Sequence, residues 1–314
     1  MESKLLYILT RTPLHVGAGV GVGAIDQPIV RERHTGFPII PASSLKGSFC
    51  DLWPATKTDR KGVTSRISTQ RIEEKSETSL KEADDAAWLF GSDSSDLSFA
   101  GALLFFEARL IAFPIRSAKG SFAWITCPLI LQRASRDGVI KSPSVDDFPN
   151  DELALFSLKG PIALAGDQVV LEDYCFKNGG AFPQDLAQEL SDLLDDGLWQ
   201  QIKDRLVIVS NGIMSHFVTT ACEIAQHVRI SDETGTAEKG ALFNQENVPA
   251  DTLFYSVITA TKSRVPNGEL KDRTPEQALA EFERKISLSN VAQFGADAST
   301  GLGFCSLKLN KKAS

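Results

Sequence analysis

Apolar residues fall in short bursts separated by polar or glycine-rich stretches. Leu5 to Thr10 is a compact β-rich run that Arg11-Thr-Pro ends, and it predicts a first strand. His15 to Asp26 carries glycines at 17, 19, 21 and 23, a spacing for tight turns or close backbone approach, and Gln27 to Glu32 reads as extended. Leu45 to Leu52 predicts a short helix, capped by Ser43 or Ser44 and stopped by Pro54, with Lys46 in its first turn. Residues 55 to 80 lack apolar periodicity and read as a long loop or insertion, and Lys81 to Phe90 reads as a short helix closed by Gly91. Gly101 to Phe113 and Phe122 to Leu131 predict core strands, and helical patterns return at Pro183 to Leu194 and Trp199 to Leu206. Val218 to Arg229, a polar turn at 230–240 and Asp251 to Thr261 predict a long projecting hairpin. Thr274 to Ser287 is the strongest helix, and a second glycine-rich loop, Phe294 to Phe304, leads into a last strand at Cys305 to Leu309.

At 314 residues the chain has room for one elaborated domain or two small ones, and 42% apolar with 23% charged residues excludes disorder, collagen and coiled coil. The best apolar stretch, Ala100 to Ala112, is broken by Glu107 and Arg109 and falls short of the ~18 to 20 residues of a spanning helix, so no membrane partner is expected. Nothing near Met1 reads as an export signal, and the expected location is the cytoplasm. Five scattered cysteines with no CxxC pair suit reduced thiols.

The net charge of −7 hides a division. Residues 1–66 carry nine Lys/Arg against five Asp/Glu, while residues 145–200 carry twelve acids against Lys159 and Lys177. An anionic ligand would choose the N-terminal portion, with the acidic segment turned away from it. The alternating glycines are not a dinucleotide fingerprint, and neither a phosphate loop nor a GxSxG elbow occurs. His15, His34, His216 and His227 form no metal-ligand pair, so no tightly held zinc is expected. What remains is a constellation: a strand, a glycine turn bounded by His15 and Asp26, a serine-rich helix start with Lys46, and a late glycine loop. By residue type alone Asp26 is equally a solvated loop aspartate, and Lys46 a solvated helix lysine.

The segments Thr12-Pro-Leu-His-Val-Gly17, Pro38-Ile-Ile-Pro-Ala-Ser-Ser-Leu-Lys-Gly47, Leu89-Phe-Gly-Ser92, Phe99-Ala-Gly-Ala-Leu103, Phe113-Pro-Ile-Arg-Ser-Ala-Lys-Gly120, Thr126-Cys-Pro-Leu129 and Gly301-Leu-Gly-Phe304 resemble, in order and across residues 5–309, the RAMP superfamily of CRISPR proteins. Within it they resemble the repeated backbone subunit of the type III-B effector, the Cmr complex. The resemblance implies an α+β fold: one RAMP domain over residues 1–314, with a ferredoxin-like, RRM-like palm and a projecting β-hairpin thumb at about 218–258. It also implies loop and helical insertions, at about 52–98 and in an acidic helical segment at about 145–205, and a C-terminal glycine-rich loop at 295–303. It implies stacking of copies along a CRISPR RNA beside other Cmr subunits, and cleavage of complementary target RNA at regular intervals. A filament subunit that only binds and measures the guide is the alternative.

The family's catalytic aspartate aligns with Asp26. An ordinary carboxylate is a weak base, which favours Asp26 as the holder of a transient Mg²⁺ or another divalent cation shared with RNA phosphates. His15 is the candidate accessory for proton transfer. Lys46, Ser43, Ser44 and Gly47, together with Arg31 and Arg33, are the candidate RNA grip at the first helix. Gly295, Thr300, Gly301 and Gly303 are its counterpart in the C-terminal loop, and His227 and Arg229 the expected contacts at the thumb base. Contacts of this kind hold sugar and phosphate and leave base edges free to pair.

Overall fold

The structure, a computed structural model, describes residues 1–19, 21, 23–53, 56–58, 64–66, 86–94, 97–141, 145, 150–266 and 268–311. Strand β1 (Glu2–Thr10) is buried from Leu5 through Thr10, as an unbroken apolar run requires when both faces of a sheet are covered. It lies antiparallel between β15 (Leu253–Ala260) and β17 (Phe304–Lys311), with Tyr7 opposite Tyr255 and Ile8 opposite Leu307. Beyond β15 run β6 (Leu103–Phe105) and β7 (Arg109–Ser117), and β16 (Val291–Gln293) flanks β17. The central order is therefore β7–β15–β1–β17.

Two helices connect these strands. α1 (Ala42–Cys50) precedes β6 and β7, and α6 (Pro275–Ile286) joins β15 to β17. Phe49 of α1 meets Phe282 of α6 edge-on at 5.1 Å, and both share an apolar cluster with Leu6, Ile8 and Ile258. The alternate residues Leu5, Tyr7, Leu9, Leu253 and Tyr255 form a second cluster with Leu131 and Ala134 of α3 (Pro128–Arg136), Leu186 and Leu190 of α4 (Gln184–Ser191), and Trp199. The two-residue period of β1 thus divides its side chains between two cores.

β7 turns into β8 (Ser121–Thr126), and the sheet continues through β12 (Leu206–Ile208), β9 (Leu153–Phe156), β11 (Tyr174–Gly180) and β10 (Gln168–Leu171). Leu171 of β10 pairs back with Ser117 of β7, closing a six-strand ring. Apart from this eleven-stranded sheet stand, among the described residues, three two-stranded ones: β2 (Thr56–Thr58) with β3 (Thr64–Arg66), β4 (Gly91–Ser94) with β5 (Leu97–Ala100), and β13 (Glu223–Ile230) with β14 (Ala237–Asn247). Residues 86–90 form the described part of helix α2, and α5 (Asn211–Thr220) precedes β13. No helix among the described residues is long and apolar enough to cross a membrane.

Several elements differ from the sequence expectation. Phe122 to Leu131 is not one strand: β8 stops at Thr126, and Pro128, at the first helical position, opens α3. The hairpin is shorter and shifted, because Ser210 caps α5, which holds Val218 to Thr220, while Leu253 to Ala260 pairs with β1 as an inner strand. α1 begins at Ala42 after Pro41, so Ser43 and Ser44 lie in its first turn and neither caps it. The acidic segment expected to be helical supplies β9, β10 and β11 as well as α4. Part of the stretch 55–80 pairs as β2 and β3. Pro54 and the expected helix start at 81–85 lie outside the described residues.

Candidate functional site

The segment after β1 runs into the base of the β13–β14 hairpin. Leu14 exchanges backbone hydrogen bonds with Val248 at 2.8 and 2.9 Å. His15 is buried, and its Nδ1 lies 2.7 Å from the carbonyl oxygen of Glu246. A carbonyl only accepts, so Nδ1 carries the proton and Nε2 of the neutral ring is left as the basic nitrogen. A Cβ on Gly17 would stand 2.9 Å from that Nε2, which is why this position is glycine.

The C-terminal glycine loop docks on the same segment. Ala296 N–H donates to the His15 carbonyl at 2.9 Å, and Gly303 N–H to that of Pro13 at 2.9 Å. Gly295 has φ +76°, and a Cβ there would sit 2.0 Å from the His15 oxygen, so no other residue fits. From within, Gln293 Nε2 donates toward the carbonyls of Phe294, Gly295 and Leu302 at 3.1 to 3.2 Å. Gly301 and Thr300 lie on the outer turn, where the Thr300 hydroxyl donates to the Asp297 carbonyl at 2.9 Å.

Asp26 ends a loop that leaves the body where Ala18 N–H donates to Pro28 and Val30 N–H to Val16. It is exposed, yet its position is fixed by Asn244 of β14. Asn244 N–H donates to Asp26 Oδ2 at 2.9 Å, Asp26 N–H to Asn244 Oδ1 at 2.8 Å, and Asn244 Nδ2 to the Ala24 carbonyl at 3.1 Å. The next two residues hold other segments. Gln245 Nε2 donates to Asp297 Oδ2 at 2.7 Å, and the buried Glu246 accepts from Ile29 N–H at 3.1 Å and from Arg31 Nη2 at 2.5 Å. One three-residue stretch of β14 therefore collects the Asp26 loop, the glycine loop and the His15 segment. These three residues escaped sequence reasoning because their partners lie about two hundred positions earlier or fifty later.

Arg31, expected on an RNA-facing surface, is instead committed to the interior. Its guanidinium also donates to the carbonyls of Gly36 and Val218 at 2.8 Å each. Arg33, two residues on, is exposed. Lys46 and Gly47 are exposed on α1, and Phe49, one turn later, packs against Phe294 at 5.4 Å beside Gly295, which sets α1 next to the glycine loop. His227 and Arg229 do not sit at the hairpin base. His227 pairs with Phe243 in mid-hairpin, ring on ring at 5.1 Å, and Arg229 lies nearer the tip, 3.8 Å from Glu238. β13 ends at Ile230 and β14 begins at Ala237, so the turn follows within a few residues and 227 falls mid-strand with 229 close to the tip.

Among the described residues no three His, Cys, Asp or Glu side chains converge as a metal cage. Asp26 Oδ1 makes no hydrogen bond among them, so the site offers one oxygen of a single exposed carboxylate. That donor set fits a hydrated divalent cation completed by phosphate oxygens and does not fit a protein-enclosed one.

The chain is 29% identical over 317 residues to the CRISPR system Cmr endoribonuclease Cmr4 of Pyrococcus furiosus, with 99% of this chain and 97% of that protein covered. Its fold matches the crystal structure of oligomeric Cmr4 from Pyrococcus furiosus with a TM-score of 0.66 at 24% identity, covering 99% and 98% of the two chains. A chain of the type III-B Cmr-beta complex bound to cognate target RNA, seen by cryo-EM, matches with a TM-score of 0.66 at 19% identity, covering 98% and 97%. The family model of the RAMP superfamily matches residues 7–306, nearly the whole length, and the chain belongs to that superfamily.

Proposed function

We propose that this chain is the guide-RNA-binding backbone subunit of a type III-B CRISPR ribonucleoprotein in the cytoplasm, and that it cuts complementary target RNA at regular intervals through Asp26. The carrying observation is the junction at β14, where a projecting hairpin, an exposed carboxylate, a histidine and a glycine loop are bonded to three consecutive residues. The order β7–β15–β1–β17 with α1 and α6 on one face reads as a ferredoxin-like palm within one RAMP domain, and β13–β14 as its thumb. The thumb carries exposed Ile224, Val228, Ile230 and Leu242, apolar surface suited to unstacked bases or to a neighbouring copy. Other Cmr subunits complete the assembly.

Attack by a ribose 2′-OH needs an in-line approach, removal of the hydroxyl proton and relief of charge on the phosphate. The body and thumb orient the guide:target duplex, with Lys46, Arg33 and the N–H groups opening α1 on sugar and phosphate. The 295–303 loop brings bare backbone close to the strand. A divalent cation bound between Asp26 and RNA phosphates would supply charge neutralisation and a more acidic hydroxyl. His15 Nε2 is the nitrogen placed to accept or return a proton, with Nδ1 pinned by Glu246.

Asp26→Asn keeps an acceptor for Asn244 N–H and removes only the charge. In a complex reconstituted with guide, Mg²⁺ and end-labelled complementary RNA, wild type should give evenly spaced cuts. Asp26→Asn should bind target equally and leave it whole. Tight target binding without cuts in wild type would instead assign the chain to a filament that measures the guide while another subunit does the chemistry.

A further inference from the structure

We propose that Asn244 is the positioning residue for Asp26 and ties the cutting carboxylate to the thumb; this rests on the reading of Asp26 given above. The loop carrying Asp26 is rich in glycine; its root is fastened through Ala18–Pro28 and Val16–Val30, and beside Asp26 the Gln27 carbonyl accepts from Glu246 N–H at 2.9 Å. Left alone, such a loop samples many conformations, and its terminal carboxylate would sample them with it. On its return limb, just before Pro28, four hydrogen bonds converge on one residue of β14. Besides the three made with Asp26 and Ala24, Gln27 N–H donates to the Asn244 carbonyl at 3.1 Å. The exchange between Asp26 and Asn244 is reciprocal, backbone to side chain in each direction, and it fixes the rotamer of Asp26 with Oδ2 occupied. Gly21 lets the loop fold back, since a Cβ there would meet the Asp26 carbonyl at 3.0 Å.

Asn244 faces Gln226 across the hairpin, one step closer to the base than the His227–Phe243 pair. Asp26 is therefore held against the base of the thumb. Wherever the thumb seats in the duplex, the carboxylate is presented at a fixed offset from it, and the cut follows the thumb.

Asn244→Ala deletes the side-chain bonds to Asp26 N–H and the Ala24 carbonyl; the bonds of the residue-244 N–H to Asp26 Oδ2 and of its carbonyl to Gln27 N–H remain, and pairing of β14 with β13 does not use the lost side chain, so the hairpin is retained. In the reconstituted complex, single-turnover cutting at saturating target should fall by about 10- to 100-fold. Target affinity should be unchanged, and the Mg²⁺ concentration for half-maximal rate should rise. Asn244→Ser, whose hydroxyl can accept from Asp26 N–H, should recover part of the rate. Cutting by Asn244→Ala at the wild-type rate, or a loss of target binding that accounts for the slower cutting, overturns the proposal. Asp26→Asn runs alongside: if it cuts like wild type, the reading of Asp26 itself fails, whereas an inactive Asp26→Asn beside a fully active Asn244→Ala sinks only the positioning role.

Discussion

Glu32 illustrates how single residues bind distant segments. Its carboxylate is largely buried and accepts from Thr35 Oγ1 at 2.6 Å and from Arg133 Nη1 at 2.9 and 3.0 Å, fastening the segment that follows Asp26 to α3. Burial alone would raise its pKa. The hydrogen bonds from Thr35 and Arg133, with the charges of Arg133 and His34, together outweigh burial and hold it below the usual carboxylate value. Because folding lowers this pKa, the unfolded chain binds the proton more readily. The stabilisation is complete above the ordinary carboxylate range and is lost as pH falls below it. Arg133→Ala should cost about 2 to 3 kcal/mol at pH 7, and its gap from wild type in urea midpoint should narrow in acid. The segment from His15 to Asp26 stood out in the sequence because four glycines lie between its two polar ends. In sequence a basic residue in an extended segment looks the same whatever it meets, and here the guanidinium of Arg31 meets Glu246.

At the scale of elements, α6 wrote its own boundaries. Thr274 Oγ1 accepts from Gln277 N–H, the Gln277 side chain accepts from Thr274 N–H at 2.9 Å, Pro275 fills the first position, and Arg284 and Lys285 occupy the last turn. Thr274→Ala should cost about 1 kcal/mol, seen as a melting temperature lower by about 2 °C. β1, with an apolar run, and β17, with alternating apolar and polar residues, were equally plain, since turn residues end the first and a glycine-rich loop precedes the second. α3 was not, because Leu129 to Leu131 is as apolar as the strand before it, and Cys127-Pro128 was the one local sign of a helix start. β14 was harder still: Ala237-Glu-Lys-Gly-Ala has little β-propensity, and its pairing with β13 supplies what its own residues do not. The grip of Asn244, Gln245 and Glu246 on three other segments left no local spacing to find.

For the whole molecule, the charge division read from the sequence acquires a direction. α1, which bears Lys46, covers one face of the central sheet, while α4, with Asp185 and Glu189, packs over the other. Guide binding should weaken as salt rises, and Lys46→Ala should flatten the slope of log K against log salt by roughly 0.7, measured by fluorescence anisotropy with a labelled guide. The six-strand ring has a separate consequence for how such chains meet. A strand whose N–H and C=O groups lack partners invites a strand from another chain, and a ring has no such border. At the margins of the main sheet the described strands β16 and β6 are three residues each, too short to template much. The long unpaired borders among the described residues belong to β13, of eight residues, and to the part of β14 before Asn244, since the rest of β14 is covered by the Asp26 and Leu14 segments. Among the described residues the capacity for strand addition is concentrated in one protruding finger, so copies stacked as proposed above would be protected against fusing sheet to sheet and would stay separable from one another.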